Sequence, residues 1–308
     1  MGAVAVLFAG QGAQYTGMGR ELYEASAAAR AVFDMADRLR PGTSEQCFGA
    51  PKEELSQTIN TQPCLFAVDL AAARALEEAG LRPDAVAGFS LGEVAALTFA
   101  GVLSDEDGFR LVIRRAQFMQ REAEKVAGGM AAVLKLQDER IEELCKEYPG
   151  VYPVNYNCPG QLVVAGEKNA LAAFCAAIAQ CGGRALPLAV NGAFHSPYMA
   201  EAAGALTEEL SHYILNTPLY PVYANCTAQP YADSIAPTLA QQVQSPVLWK
   251  QSIAAMTLQG VNRFIEVGPG KTLCGFLAKI DPALLCHNVQ DAQSLKDTLC
   301  ALGEGGLL

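Results

Sequence analysis

The pentapeptide Gly88-Phe89-Ser90-Leu91-Gly92 constrains this chain more than any other stretch. It follows an apolar run, Ala85-Val86-Ala87, and leads into the helix-prone Glu93-Val94-Ala95-Ala96-Leu97. A G-x-S-x-G pattern between strand and helix is the signature of a nucleophile elbow. The glycines allow a tight turn, the serine hydroxyl projects from it, and the following helix aims its N-terminal amides at the site. Such a serine is poised for acyl transfer. The bare pattern also occurs in ordinary turns, so its placement between strand and helix carries the reading.

Strand-like and helix-like segments alternate along the chain, which predicts an α/β fold with a largely parallel sheet. Val4–Phe8 reads as the first strand, Pro63–Ala79 as a long helix stopped at Gly80, and Ala85–Phe89 as the elbow strand with its helix at Leu91–Ala100. Asp105–Lys125 reads as a further helix capped by Ser104. The character changes at Gly128-Gly129. From there Met130–Leu134, Asp138–Glu147, Val151–Asn155, Gln161–Ala165, Asn169–Gln180 and Arg184–Leu188 run in β-α-β-β-α-β order, the split ferredoxin-like pattern. This fits a small domain inserted into a larger one. Arg263–Val267 reads as the last core strand.

Composition narrows the class. Hydrophobic residues make up 51% and charged residues 18% of 308, which describes a globular chain with a large core. No run reaches the roughly 18 apolar residues a membrane span needs. The opening Met-Gly-Ala-Val-Ala-Val-Leu-Phe lacks a basic leader region and reads as a buried strand, so a cytoplasmic location is expected. The 10 cysteines form no C-x-x-C pair and are expected to be buried free thiols. With only 3 histidines, a metal cluster is not expected. A net charge of −10 argues against nucleic acid as a partner.

A serine nucleophile needs a base and an oxyanion hole. His287 would suit the Ser–acid–His order of hydrolases, but its setting in Leu284–Val289 reads as a short buried strand. His195 sits in Asn191-Gly192-Ala193-Phe194-His195-Ser196-Pro197, at the junction where the small domain gives way to a helix. His212 reads as an exposed helical residue. Phe8-Ala9-Gly10-Gln11-Gly12-Ala13-Gln14 follows the first strand, where an open α/β sheet places its ligand, and would offer the Gln11 amide to an oxyanion. Arg114 and Arg115 point about 100° apart on a helix, so only one can face the site.

These segments, with Glu266-Val267-Gly268-Pro269-Gly270 and the Asn-x-Asn-x-Pro-Gly-Gln element at Asn155–Gln161, resemble the malonyl-CoA:acyl-carrier-protein transacylases in order and spacing over essentially the whole chain. The resemblance implies an α/β-hydrolase-like large domain with a parallel-sheet core, residues 1–124 and 192–308, and an inserted ferredoxin-like subdomain, residues 125–191. It implies Ser90 as the acylated nucleophile and His195 as general base, oriented by the main-chain carbonyl of Gln242 rather than by an aspartate. The amides of Gln11 and Leu91 would form the oxyanion hole, and Arg115 would hold the malonyl carboxylate. Phe194, just before the active histidine, would favour malonyl over methylmalonyl. Malonyl-CoA and an acyl carrier protein would be the partners, with no metal or bound cofactor, acting as a monomer.

Two positions depart from the family's commonest pattern: Phe89 stands where histidine is usual, and Ala9 where proline is usual. The loss of a polar side chain at Phe89 is expected to alter affinity or acyl preference rather than abolish catalysis. Docking an acidic carrier on this acidic chain calls for a local basic patch, and Arg110, Arg114, Lys125 and Lys250 are its candidates. The rival readings are a serine esterase or thioesterase working through His287, a free-standing polyketide acyltransferase or malonate decarboxylase subunit, and an inactive binding module.

Overall fold

The computed structural model describes residues 2–304. Nine strands are present among them: β1 (Ala3–Phe8), β2 (Ala85–Gly88), β3 (Gly128–Leu134), β4 (Val151–Cys158), β5 (Gln161–Glu167), β6 (Arg184–Pro187), β7 (Val222–Tyr223), β8 (Val261–Val267) and β9 (Leu285–Val289). They form two sheets. The first is wholly parallel, in the order β7-β2-β1-β8-β9; the second is antiparallel, in the order β4-β5-β3-β6. The architecture is thus an α/β fold with a parallel core and a smaller antiparallel sheet of ferredoxin-like order.

Alternation along β1 explains why the parallel sheet is covered on both faces. Val4, Val6 and Phe8 join the core beneath the long helix Thr58–Glu78 and the elbow helix Leu91–Phe99. Ala5 and Leu7 face the opposite core, built on Trp249, Ile253, Leu273 and Leu277. A third cluster, including Val133, Ile141, Val164 and Phe174, lies between the antiparallel sheet and its two helices.

The register decides where chemistry can occur. Phe8 pairs with Gly88 on one side and Val267 on the other, so β1, β2 and β8 end level. The glycine-bearing segments after all three strands therefore open on one edge, at the carboxyl ends where such sheets bind ligands. The antiparallel sheet faces that edge. Its β4 is tied there by hydrogen bonds from Tyr156 N to Val247 O, 2.9 Å, and from Val247 N to Val154 O, 2.8 Å. The chain enters and leaves this sheet at one neck: a Cβ on Gly128 would lie 2.8 Å from Ala193 N.

Four expectations need correction. The long helix begins at Thr58, placing Pro63 in its second turn rather than its first. Gln57 O accepts from Asn60 N and Thr61 N to start it, a local device that the proline masks in the sequence. The strand expected to be buried at Leu284–Val289 is β9 at the sheet's edge, exposed at Leu285 and buried only at Val289. His212 lies in the turn just beyond the helix Ala200–Leu210. Finally, Cys274 and Cys286 form a disulfide, because the helix Thr272–Ile280 packs against β9 and brings their Cα atoms within 5.4 Å. The remaining eight cysteines are free, with Cys181 and Cys300 exposed.

Asp69 is an unusual core residue. It is fully buried on the long helix, and neither carboxyl oxygen has a hydrogen-bond partner among the described residues. Burial, with a smaller contribution from Glu266, pushes its pKa well above the ordinary value. A group raised in the folded state weakens stability as pH climbs above its unfolded value. Asp69→Asn is therefore expected to raise the unfolding midpoint more at pH 8 than at pH 5, by thermal melts at both. An equal change at the two values would show that ionisation of Asp69 is not the cause.

Candidate active site

Gly88 ends β2 and Ser90 precedes the elbow helix, and both flanking glycines are sterically required. A Cβ on Gly88 would sit 1.9 Å from the Gly92 carbonyl carbon, and one on Gly92 would sit 2.3 Å from Phe8 O. Ser90 itself adopts φ 55°, ψ −104°, a strained conformation costing about 1–3 kcal/mol. Asn225 holds it there. The Asn225 side chain accepts from Ser90 N and donates to Gly88 O, both at 2.7 Å.

His195 is buried and also has a positive φ, 60°. Its Nε2 lies 2.7 Å from Ser90 Oγ. Its Nδ1 lies 3.0 Å from Gln242 O and 3.2 Å from Ser245 O. Carbonyl oxygens only accept, so the ring proton sits on Nδ1 and Nε2 presents its lone pair to the serine hydroxyl. Burial first, and the Arg115 charge second, pull the imidazole down to about 4, against two opposing carbonyl bonds. The ring is neutral at physiological pH and ready to take a proton.

A pH profile follows from that depression. The site is disabled when the ring protonates, so kcat/KM is expected to hold level above about pH 5 and to fall as pH drops through about 4. A bound carboxylate that neutralises Arg115 removes the second cause, so the acid limb of kcat should lie at higher pH than that of kcat/KM. Stability follows the same sign. It is fully present above about pH 6.5 and declines toward 4, because the unfolded chain takes up a proton the folded site refuses. Parallel measurements of kcat and kcat/KM check the profile; coincident limbs would remove Arg115 as a cause.

Arg115 and Arg114 separate as helix geometry requires. Arg114 is exposed and paired with Glu209, whereas Arg115 is 1% exposed. Arg115 Nη1 donates to Gln62 Oε1 at 2.7 Å, and Nη2 donates to Gln242 Oε1 at 2.9 Å and to Ser90 Oγ at 3.3 Å. Its Nε has no partner among the described residues. Burial lowers its pKa to about 10, partly offset by the charge of Glu93, so it remains a cation.

A chamber of about 70 Å³ lies over the serine, bounded by Gln11, Phe89, Met119, Met130, Phe194 and His195, among others. Through Gln11, Phe89, Asn155 and Leu188 it continues into a cleft of about 230 Å³ between the two sheets. Asn155 and Asn157, on one face of β4, line the cleft, and their side-chain oxygens are buried without a partner among the described residues. Phe89 packs against Trp249 and Phe276, with ring centroids 5.4 and 6.3 Å away, which explains an apolar residue there. Glu266 anchors the cleft's far wall by accepting from Leu273 N and Cys274 N. A larger depression, about 600 Å³ by Tyr223 and Leu258, contains no nucleophile and base.

The structure thus brings Ser90, His195, Arg115, Gln242, Gln11, Leu91 and Phe194 to one place. His287 is elsewhere, on β9, three strand spacings or about 14 Å across the sheet from β2. The four cations considered for a docking patch are all paired within the chain: Arg110 with Glu106 and Asp107, Arg114 with Glu209, Lys125 with Glu122, and Lys250 with Asp138. Sequence reasoning missed Gln62, Asn225, Tyr231 and Ser245. Glu93, the residue directly after the elbow motif, belongs with them. Among the described residues no cluster of three or more His, Cys, Asp and Glu could hold a metal, and no helix is long and apolar enough to cross a membrane.

Known proteins resemble this chain in sequence and fold. Residues 6–282 match the acyl transferase domain family. A malonyl CoA-acyl carrier protein transacylase from Bacillus subtilis (strain 168) is 37% identical over 312 residues, covering 99% of this chain and 98% of that protein. A solved malonyl CoA-acyl carrier protein transacylase from Clostridium perfringens superposes with a TM-score of 0.95 at 38% identity, over 99% of this chain and 98% of that one. A malonyl-transacylase solved in complex with its type II PKS acyl-carrier protein superposes with a TM-score of 0.93 at 36% identity, over 97% and 99%. On the domain match and on identity sustained across nearly the whole of both chains, this chain belongs to the malonyl CoA-acyl carrier protein transacylase family of acyl transferases.

Proposed function

We propose that the protein moves a malonyl group from malonyl-CoA to the phosphopantetheine thiol of an acyl carrier protein through an ester on Ser90, in the cytoplasm and in the service of fatty-acid synthesis. The observation that carries this is Ser90 Oγ, 2.7 Å from a neutral His195 Nε2 and 3.3 Å from the buried Arg115 guanidinium. Ser90 lines the small chamber, and the Arg115 guanidinium lies buried directly against its hydroxyl.

His195 takes the proton as Ser90 Oγ attacks the thioester carbonyl. The amides of Gln11 and Leu91 receive the oxyanion; neither donates to a protein acceptor among the described residues. The carbon–sulfur bond breaks, and coenzyme A leaves with the proton from His195. The carrier thiol then gives its proton to His195 and attacks the ester, and Ser90 regains its hydrogen. Arg115 holds the malonyl carboxylate throughout by charge-assisted bonds. Phe194 fills the space an α-methyl group would need. The chemistry calls for no cofactor beyond the thioester. In this reading residues 1–124 and 192–308 form the reacting domain, and 125–191 the inserted one.

Intact-protein mass spectrometry after brief exposure to malonyl-, acetyl- and methylmalonyl-CoA tests the reading. A malonyl adduct on the native chain, absent from Ser90→Ala, and little adduct from the other two donors are expected. Steady release of free coenzyme A without an adduct would instead indicate a thioesterase.

A further inference from the structure

Three donors converge on one buried carboxylate beside the reacting groups. Glu93 lies on the first turn of the elbow helix and is wholly buried. Its Oε1 accepts from the Tyr231 hydroxyl; its Oε2 accepts from Gln242 Nε2 at 2.9 Å and from Asn225 N at 3.1 Å. The carboxylate itself is hydrogen-bonded to neither Ser90 nor Arg115. Its influence runs through Gln242, whose Nε2 also donates to Ser90 O at 2.6 Å and whose Oε1 receives Arg115 Nη2.

A glutamine amide can face either way, and here only one way works. Turned over, its NH2 would meet the guanidinium donor against donor, and its oxygen would meet Glu93 and Ser90 O acceptor against acceptor. The Glu93 carboxylate therefore fixes the face that Gln242 shows to Arg115. Tyr231 supports that carboxylate in turn: burial drives Glu93 up to about 7, and the tyrosine hydrogen bond is the largest effect opposing it.

We propose that Glu93 and Tyr231 are positioning residues for acyl-group selection, locking the Gln242 amide so that Arg115 meets the carboxylate of the incoming acyl group at the productive angle. This rests on the reading of Arg115 as the carboxylate clamp. The effect is one-sided. An acetyl group offers Arg115 no carboxylate to hold, so a misaimed guanidinium chiefly penalises donors bearing one.

Tyr231→Phe, which removes one oxygen, is the direct test, with transfer kinetics measured for malonyl-CoA and acetyl-CoA. KM for malonyl-CoA should rise about tenfold, as for one lost hydrogen bond, with kcat nearly unchanged. Acetyl-CoA kinetics should not move, so the malonyl-to-acetyl ratio of kcat/KM falls about tenfold. Glu93→Gln should lower the ratio further. Should that variant fail to fold, Tyr231→Phe alone decides. An equal loss with both donors would mark a merely structural role and overturn the proposal, as would an unchanged ratio. Arg115→Ala separates the two ideas. If it collapses the ratio while Tyr231→Phe does not, the positioning role fails and the clamp stands; if Arg115→Ala leaves the ratio intact, the clamp reading fails and this proposal with it.

Discussion

Replacing His195 with alanine is expected to slow acyl transfer by about 10²–10⁴-fold, the range for loss of a positioned general base. The expectation rests on its lone pair, fixed toward Ser90 Oγ by two carbonyls behind the ring. No other histidine can substitute, because His287 stands on the far strand of the sheet. His287→Ala should accordingly leave the rate unchanged. Single-turnover measurement of coenzyme A release separates the outcomes. Loss of activity in His287→Ala with retention in His195→Ala would restore the hydrolase-like order and reject the assignment of the base.

The second large effect belongs to Arg115. Arg115→Ala is expected to lower kcat/KM for malonyl-CoA by about a hundredfold or more, since breaking a buried ion pair costs about 3–5 kcal/mol. Acetyl-CoA should be used as well as before, or better. Lysine is not an adequate replacement. Arg115 bridges Gln62 and Gln242 from two separate nitrogens, a fork that a single ammonium cannot reproduce. Steady-state kinetics with both donors provide the check; equal losses for the two would show that Arg115 supports the fold rather than the acyl carboxylate.

The candidate site residues were readable in the sequence because most sit in short segments whose composition betrays their geometry. Ser90 needs glycines two residues to either side, and Gly88 and Gly92 are packed too closely for any other residue. Arg115 was harder: only its burial separates it from Arg114 next door. The supporting residues left no comparable trace. Asn225 reaches Ser90 across 135 positions and Tyr231 reaches Glu93 across 138, and no local periodicity reports such contacts. The same reason hid the bond between Cys274 and Cys286, which depends on a helix settling against an edge strand. Pro63 misled more directly, because a proline that is tolerated in a second turn looks like a helix start.

The neck at Gly128 and Ala193 has a consequence for how this catalyst can change. Since the chain departs and returns at touching points, the antiparallel sheet is a cassette whose exchange need not disturb the parallel sheet bearing the elbow. Met130, Asn155 and Leu188 come from that cassette and from the segment leading out of it, and they form part of the roof over the acyl chamber. Grafting a different roof would thus change the size of the chamber, while Ser90, His195 and the hydrogen bond between them are inherited intact.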